Sequence, residues 1–234
     1  MSDRGKKLLA AFQSPIGKKI ITGITGLGLT IFVIVHMTGN LSYFSSDPQA
    51  YNAYSHFLTQ GIGALIYVIE IGLLAFFVFH IITGIQIYLG KRRARNVGYD
   101  KYQSSGKPSM QSLSSRTMIV TGLILLVFLV IHLWSFKYGP GLEEGYVVTV
   151  DGEPIRDLKR LMTEKFQEPL YAFGYPFVML LLGFHLRHGI WSAFQSLGAM
   201  NPRLTPVVYG LGGLLAVLIA VGFLVLPLYI FFTH

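Results

Sequence analysis

The sequence predicts an all-α membrane protein of five transmembrane helices, and three observations carry that prediction. First, 52% of the 234 residues are apolar, only 13% are charged, and the apolar residues fall in long runs. A bilayer-spanning helix needs about 20 consecutive apolar residues. Second, the basic residues fall in alternate connections between these runs. Third, four of the runs each carry a histidine at membrane depth, where an ionisable group is costly and marks a functional position.

The predicted spans are 19–38, 62–90, 116–137, 169–197 and 205–232, forming one transmembrane domain over residues 1–234. Arg4, Lys6, Lys7, Lys18 and Lys19 precede the first span, and Lys91, Arg92, Arg93, Arg95, Lys101, Lys107 and Arg116 fill the second connection. The 39–61 connection has no Lys or Arg, and the 138–168 connection has four against seven acids. Positive charge flanks the cytoplasmic ends of membrane helices, so the N-terminus is predicted to be cytoplasmic and the C-terminus outside. The formal net charge of +8 therefore marks topology and a surface for anionic lipid or a docked partner, not nucleic acid. The polar, basic start without a small-residue cleavage pattern predicts no removable signal peptide. With no cysteine in the sequence, disulfides, thiolate metal sites and iron–sulfur ligation by this chain are excluded.

Before the first span, LLAAF is an amphipathic leader suited to the cytoplasmic surface. The span itself opens with TGITGLG, whose glycines permit either close helix packing or contact with a flat cofactor. His36 follows Lys19 by 17 residues, roughly 25 Å at 1.5 Å per residue, which places it toward the outer face. In the next connection Asp47-Pro48 predicts the start of a short surface helix through about residue 58. Its tyrosines and phenylalanines suit a membrane interface, and His56 reads as interfacial rather than as a ligand.

The second span carries Glu70 in its outer third and His80 eleven residues before Lys91, roughly 16 Å from the cytoplasmic end. The third rises from Arg116 to His132, roughly 24 Å up, and the fourth descends so that His185 lies roughly 16 Å from the inner side. Between them, GYVVTVDGEPIRDL predicts a small hairpin around Asp151-Gly152. The fifth span has no charge or histidine and is predicted to pack or to shape a lipid-facing cleft.

The histidines thus sort by depth into His36 with His132 and His80 with His185. Two neutral imidazoles on facing helices suit a six-coordinate haem iron that transfers electrons, and His36, His80, His132 and His185 are the predicted axial ligands. Zinc fits less well, since each level supplies two ligands and no carboxylate or thiolate completes a tetrahedron. HIITG from His80 and HLRHG from His185 both read H-x-x-x-G, and a glycine four residues on shares the ligand's helix face and vacates space there. His188 is expected to bond a haem propionate or another helix. Arg187 is expected either to neutralise a propionate or to snorkel to the interface. Glu70, the only acid within an apolar span, is a candidate for proton exchange with quinone.

The segments VHMTGN, FHIITG, IHLWSF and FHLRHGIWS resemble the dihaem cytochrome b membrane-anchor subunit of bacterial succinate dehydrogenases and fumarate reductases, in its single five-helix form. The resemblance runs from about residue 15 to 232. It implies two haem b groups, an outer one on His36 and His132 and an inner one on His80 and His185. It further implies a flavoprotein and an iron–sulfur subunit docked on the cytoplasmic face, a quinone substrate, often menaquinone, and a bacterial inner-membrane location. Assembly of the complex into a higher oligomer is compatible with it. The sequence departs from some fumarate-reducing relatives in having Gly183, not a glutamate, two residues before the fourth ligand. That puts their transmembrane proton route in doubt here. Two other readings compete: a stand-alone haem reductase of the cytochrome b561 kind, and a transporter in which the histidines and Glu70 relay protons or metal ions.

Overall fold

Residues 2–94 and 113–234 are described by a computed structural model. Arg95, Lys101 and Lys107 of the basic connection lie outside the described residues. The architecture is helical: α1 (Asp3–Gln13), α2 (Pro15–Asn40), α3 (Ala50–His56), α4 (Leu65–Arg93), α5 (Leu113–His132), α6 (Leu158–Gln167), α7 (Pro169–Ser196) and α8 (Leu204–Thr233), with a hairpin of β1 (Val147–Val150) and β2 (Glu153–Arg156). Five of these helices, α2, α4, α5, α7 and α8, are long and apolar enough to cross a membrane. They correspond to the five predicted spans.

The helices begin and end where the local chemistry dictates. Ser14 closes α1 by donating to the Ala11 carbonyl (2.6 Å) and opens α2 by accepting from the Gly17 amide (3.0 Å), with Pro15 at the first helical position. This cap starts α2 four residues earlier than the sequence suggests, because Pro is preorganised for that position. The corner leaves room only for glycine at position 17, where a side chain would collide with the backbone of Ala11 and Phe12. At its far end α5 passes into a π-turn over Leu133–Lys137, closed by the Tyr138 amide on the Leu133 carbonyl (2.9 Å). The hairpin turns on Asp151 (φ 52°) and Gly152 (φ 85°), the paired left-handed residues of a two-residue type I′ turn.

Small residues set the helix spacing. Gly183 of α7 faces Ala220 of α8, Gly212 of α8 faces Ile190 of α7, and Gly23 of α2 faces Ala193 of α7. Close backbone approach of this kind is how helices associate when lipid and side chains are equally apolar. Around these contacts Leu186, Ile190, Ala216 and Ile219 form one core, against which Val33, Ile34 and Met37 of α2 pack. By contrast, α4 packs mainly along α2 and meets α5 only briefly. Thr83 is its one buried residue, and Val68, Ile71, Leu74, Val78 and Ile82 are exposed.

One end of the bundle, the hairpin end, is closed by a cap. The 3₁₀ turn Leu41–Phe44, α3, the hairpin and α6 fold together there. Asn52 holds the cap: its amide donates to Asp157 (2.8 Å) and its carbonyl accepts from the Lys159 amide (2.9 Å), while Asp157 also caps α6 through the Arg160 amide (3.0 Å). Arg156 donates to the carbonyls of Gly139 and Pro140 (both 2.9 Å), fastening the hairpin to the end of α5. The opposite end carries α1, Lys91 to Arg93 and the turn between α7 and α8; it is called the basic end below.

A candidate haem-binding site

The structure brings the four deep histidines together as two pairs at two levels. Toward the hairpin end the imidazoles of His36 on α2 and His132 on α5 lie with ring centroids 5.7 Å apart, crossed at 82°. Toward the basic end those of His80 on α4 and His185 on α7 are 6.3 Å apart, crossed at 63°.

The basic-end pair is seated with a repeated local chemistry. Thr25 donates its hydroxyl proton to the Ile21 carbonyl (2.7 Å), so the contact between Thr25 Oγ1 and His80 Nδ1 (3.3 Å) is one in which the imidazole donates. Likewise Thr121 donates to the Thr117 carbonyl (3.1 Å) and accepts from His185 Nδ1 (3.1 Å). With the imidazole as donor in both contacts, each ring carries its proton on Nδ1 and its lone pair on Nε2. Hydrogen bonding of the second nitrogen is the usual way a protein orients an imidazole ligand. The residue after each threonine is a glycine, and a side-chain carbon there would come within 3.1 Å of His80 at Gly26 and 3.4 Å of His185 at Gly122. A Thr-Gly step on the neighbouring helix is thus the seat for each ring, with the hydroxyl as acceptor and the missing side chain as the clearance. Thr22 tightens the first seat by donating to Thr83 of α4 or accepting from it, at 2.6 Å.

The hairpin-end pair is seated in aromatic rings instead. His36 stacks on Phe32 (5.5 Å, 15°) and His132 on Phe128 (5.7 Å, 20°), each four residues earlier on its own helix. Phe223 of α8 lies 5.8 Å from His36, and Phe136 and Tyr175 lie 5.5 and 6.2 Å from His132. Nδ1 of His132 and Oη of Tyr175 are both buried and without a hydrogen-bond partner. Tyr175 belongs to the cap core with Tyr43, Tyr51, Met162 and Phe166, so the cap and the shell round His132 are one cluster.

The spacing of each pair is compatible with two imidazoles sharing one metal ion. With metal–imidazole bonds of about 2.0–2.1 Å, as for zinc, two trans imidazoles on one ion have ring centroids about 6.3 Å apart. The basic-end pair already has that spacing, and the hairpin-end pair is about half an ångström short of it. Among the described residues, direct packing between α4 and α7 is at most slight. An added side-chain carbon at Gly84 or Gly189, the glycines of the two H-x-x-x-G segments, would meet no atom within 4 Å. Both glycines therefore face open space. Among the described residues no group of three or more His, Cys, Asp or Glu side chains gathers as it would round a bare metal ion.

The remaining predicted site residues have contacts of their own. Glu70 forms an ion pair with Lys137 at the hairpin end, both side chains about two-fifths exposed, and among the described residues no hydrogen bond joins it to His36 or His132. Arg187 donates to the Tyr209 hydroxyl of α8 (2.9 Å) with its guanidinium 5.3 Å from the centre of that ring. His188 lies 6.0 Å from Trp191. The Thr-Gly seats escaped the sequence reading, although Thr25-Gly26 and Thr121-Gly122 stand at the depth of the histidines they hold. No protein-family model, curated protein sequence or solved structure matches this chain.

Proposed function

We propose that the chain is the cytochrome b membrane-anchor subunit of a succinate:quinone oxidoreductase, a succinate dehydrogenase or fumarate reductase. In this reading His80 and His185 hold an inner haem b, and His36 and His132 an outer one. So held, the two haems supply one-electron transfer between a docked iron–sulfur protein and membrane quinone. The observation that carries the reading is the paired, two-level arrangement of imidazoles, with the lone pairs of the inner pair on Nε2 in the Thr-Gly seats. Four imidazoles satisfy all the axial positions of two irons and leave none open to oxygen. The basic residues before α2 and after α4 support a cytoplasmic position for the inner pair, the side on which a flavoprotein and an iron–sulfur subunit would dock. The chain itself does no dicarboxylate chemistry. Glu70, paired with Lys137 near the outer level, is the carboxylate available for proton exchange with quinone.

The test is a reduced-minus-oxidised spectrum with pyridine haemochrome quantitation on the purified protein. Two b haems per chain are expected, with His36→Ala and His80→Ala each removing a different one, and two larger subunits co-purifying. Absence of haem overturns the reading in favour of a proton- or metal-coupled transporter. Two haems without any larger partner favour a stand-alone haem reductase.

A further inference from the structure

We infer that Arg187, Trp191 and Tyr209 form a binding site for the phosphate of an anionic phospholipid, in the cleft between α7 and α8 near the basic end. Arg187 lies nine residues before the end of α7 at Ser196, roughly 13 Å along the helix axis. A permanent cation at that depth is costly and calls for a counter-charge. None is provided by the two helices, because α7 and α8 contain no Asp or Glu. Among the described residues Arg187 makes no ion pair, and it donates to the neutral Tyr209 hydroxyl at 2.9 Å. One bond to a phenol leaves most of the five donors of a guanidinium unused.

A second donor points to the same ligand. Among the described residues the buried indole Nε1 of Trp191 has no hydrogen-bond partner, and its ring lies 6.5 Å from that of Tyr209. Residues 187 and 191 are one turn apart and share a face of α7. A forked cation beside an unpaired N–H donor suits a ligand rich in acceptor oxygens, as a phosphodiester is.

The position selects a lipid over a haem propionate. His185 sits 200° round the helix from Arg187, its ring bonded to Thr121 of α5 and facing His80, whereas Arg187 turns to α8. Above Arg187 the face of α7 continues as the exposed stripe Phe173, Phe177, Leu180 and Phe184, an apolar track for an acyl chain. On α8 Gly213, one turn from Tyr209 on the same side of the helix, meets no atom within 4 Å of an added side-chain carbon, so space is left beside Tyr209.

The experiment is native mass spectrometry of the purified protein, with its co-purifying subunits, after exchange into detergent with equal dioleoyl-phosphatidylglycerol and dioleoyl-phosphatidylcholine. One phosphatidylglycerol is expected to stay bound at activation that strips phosphatidylcholine. Arg187→Gln should lower that preference about fivefold, the worth of one basic residue against an anionic headgroup, while Arg187→Lys should retain part of it. Trp191→Phe, which keeps the charge and deletes the indole donor, should weaken retention by a smaller factor. Equal retention of the two lipids by the parent protein overturns the proposal. So does undiminished phosphatidylglycerol preference in a folded Arg187→Gln protein. The lipid preference is read whether or not haem is bound, so it stands or falls separately from the haem assignment.

Discussion

Replacing Thr121 with Val tests whether the Thr-Gly step is a ligand seat or only a packing contact. Valine keeps the branched shape and fills the same space against the ring of His185, so the clearance at Gly122 is unchanged. What it removes is the acceptor for the Nδ1 proton, a bond of 3.1 Å in a half-buried setting. A buried donor left without its partner costs about 1–3 kcal/mol, and loss of an outer hydrogen bond to a ligating histidine costs roughly 10–100-fold in affinity for the bound metal. The two ranges agree, since 1.4 kcal/mol is about a factor of ten. The expected outcome is therefore 10- to 100-fold faster haem release from one of two sites, followed by absorbance as haem passes to an excess of scavenging apoprotein. The other site should be unaffected, because the hairpin-end histidines have no bond to Thr121. Thr25→Val should act on the same site through His80, and Thr121→Ser should restore retention. Unchanged haem release in both valine variants would refute the seat and reduce Thr121 and Thr25 to ordinary packing.

Two further outcomes follow from the fold. Gly183→Glu should lower the thermal unfolding midpoint, because the first added carbon already meets Ala220 at 3.0 Å and the Ala216 carbonyl oxygen at 3.5 Å; overpacking of this kind costs about 1–3 kcal/mol, and a variant as stable as the parent would show that α7 and α8 separate freely. Asn52→Ala should remove the two bonds that hold α3 to the start of α6, leave the Lys159 amide unpaired at a cost of about 1–3 kcal/mol, and speed hydrogen exchange at that amide; unchanged exchange would place the strength of the cap in its aromatic core instead.

The five spans were legible because each is a run of apolar residues bounded by charge, Pro or Gly, a signal that needs no knowledge of neighbours. The hairpin was legible for a similar reason, since Asp151-Gly152 is the local chemistry that a type I′ turn requires. Depth along each helix was equally readable, because it depends only on counting from the charged ends. Rotation about each helix axis was not. Three of the membrane helices that carry histidine, α4, α5 and α7, have little amphipathic contrast, so the sequence alone could not show that Arg187 turns to Tyr209, nor that Thr121 stands behind an imidazole. The α6 helix was also missed, because its sequence LKRLMTEKFQ is polar overall; the signal that could have found it is Leu158, Leu161, Met162 and Phe166 at helical spacing after Asp157, and the last three are buried in the structure. Gly183 gains a physical reason that sequence comparison lacked. It lies at a close approach of α7 and α8, where an added carbon meets Ala220 at 3.0 Å, so a glutamate there has no room in this packing.

The two levels differ in how firmly the protein holds them, and that difference has a consequence for assembly. The hairpin-end pair lies between α2 and α5, enclosed by the cap core through Phe136 and Tyr175. The basic-end pair joins α7, part of the most tightly packed unit of the bundle, to α4, the helix with the least buried surface. The fixed points of α4 are the Thr22–Thr83 bond, the seat of His80 against Gly26 and the Glu70–Lys137 ion pair. A ligand bridging His80 and His185 would add a link between α4 and α7, where direct packing is at most slight. Binding only to the assembled form stabilises it by mass action. Loss of the inner ligand should therefore loosen α4 selectively, seen as faster hydrogen exchange along Leu65–Arg93 in His185→Ala, while α7 and α8 keep their protection. Uniform loosening of all five helices would mean that α4 is held by its contacts with α2 alone and that the inner pair contributes nothing to its docking.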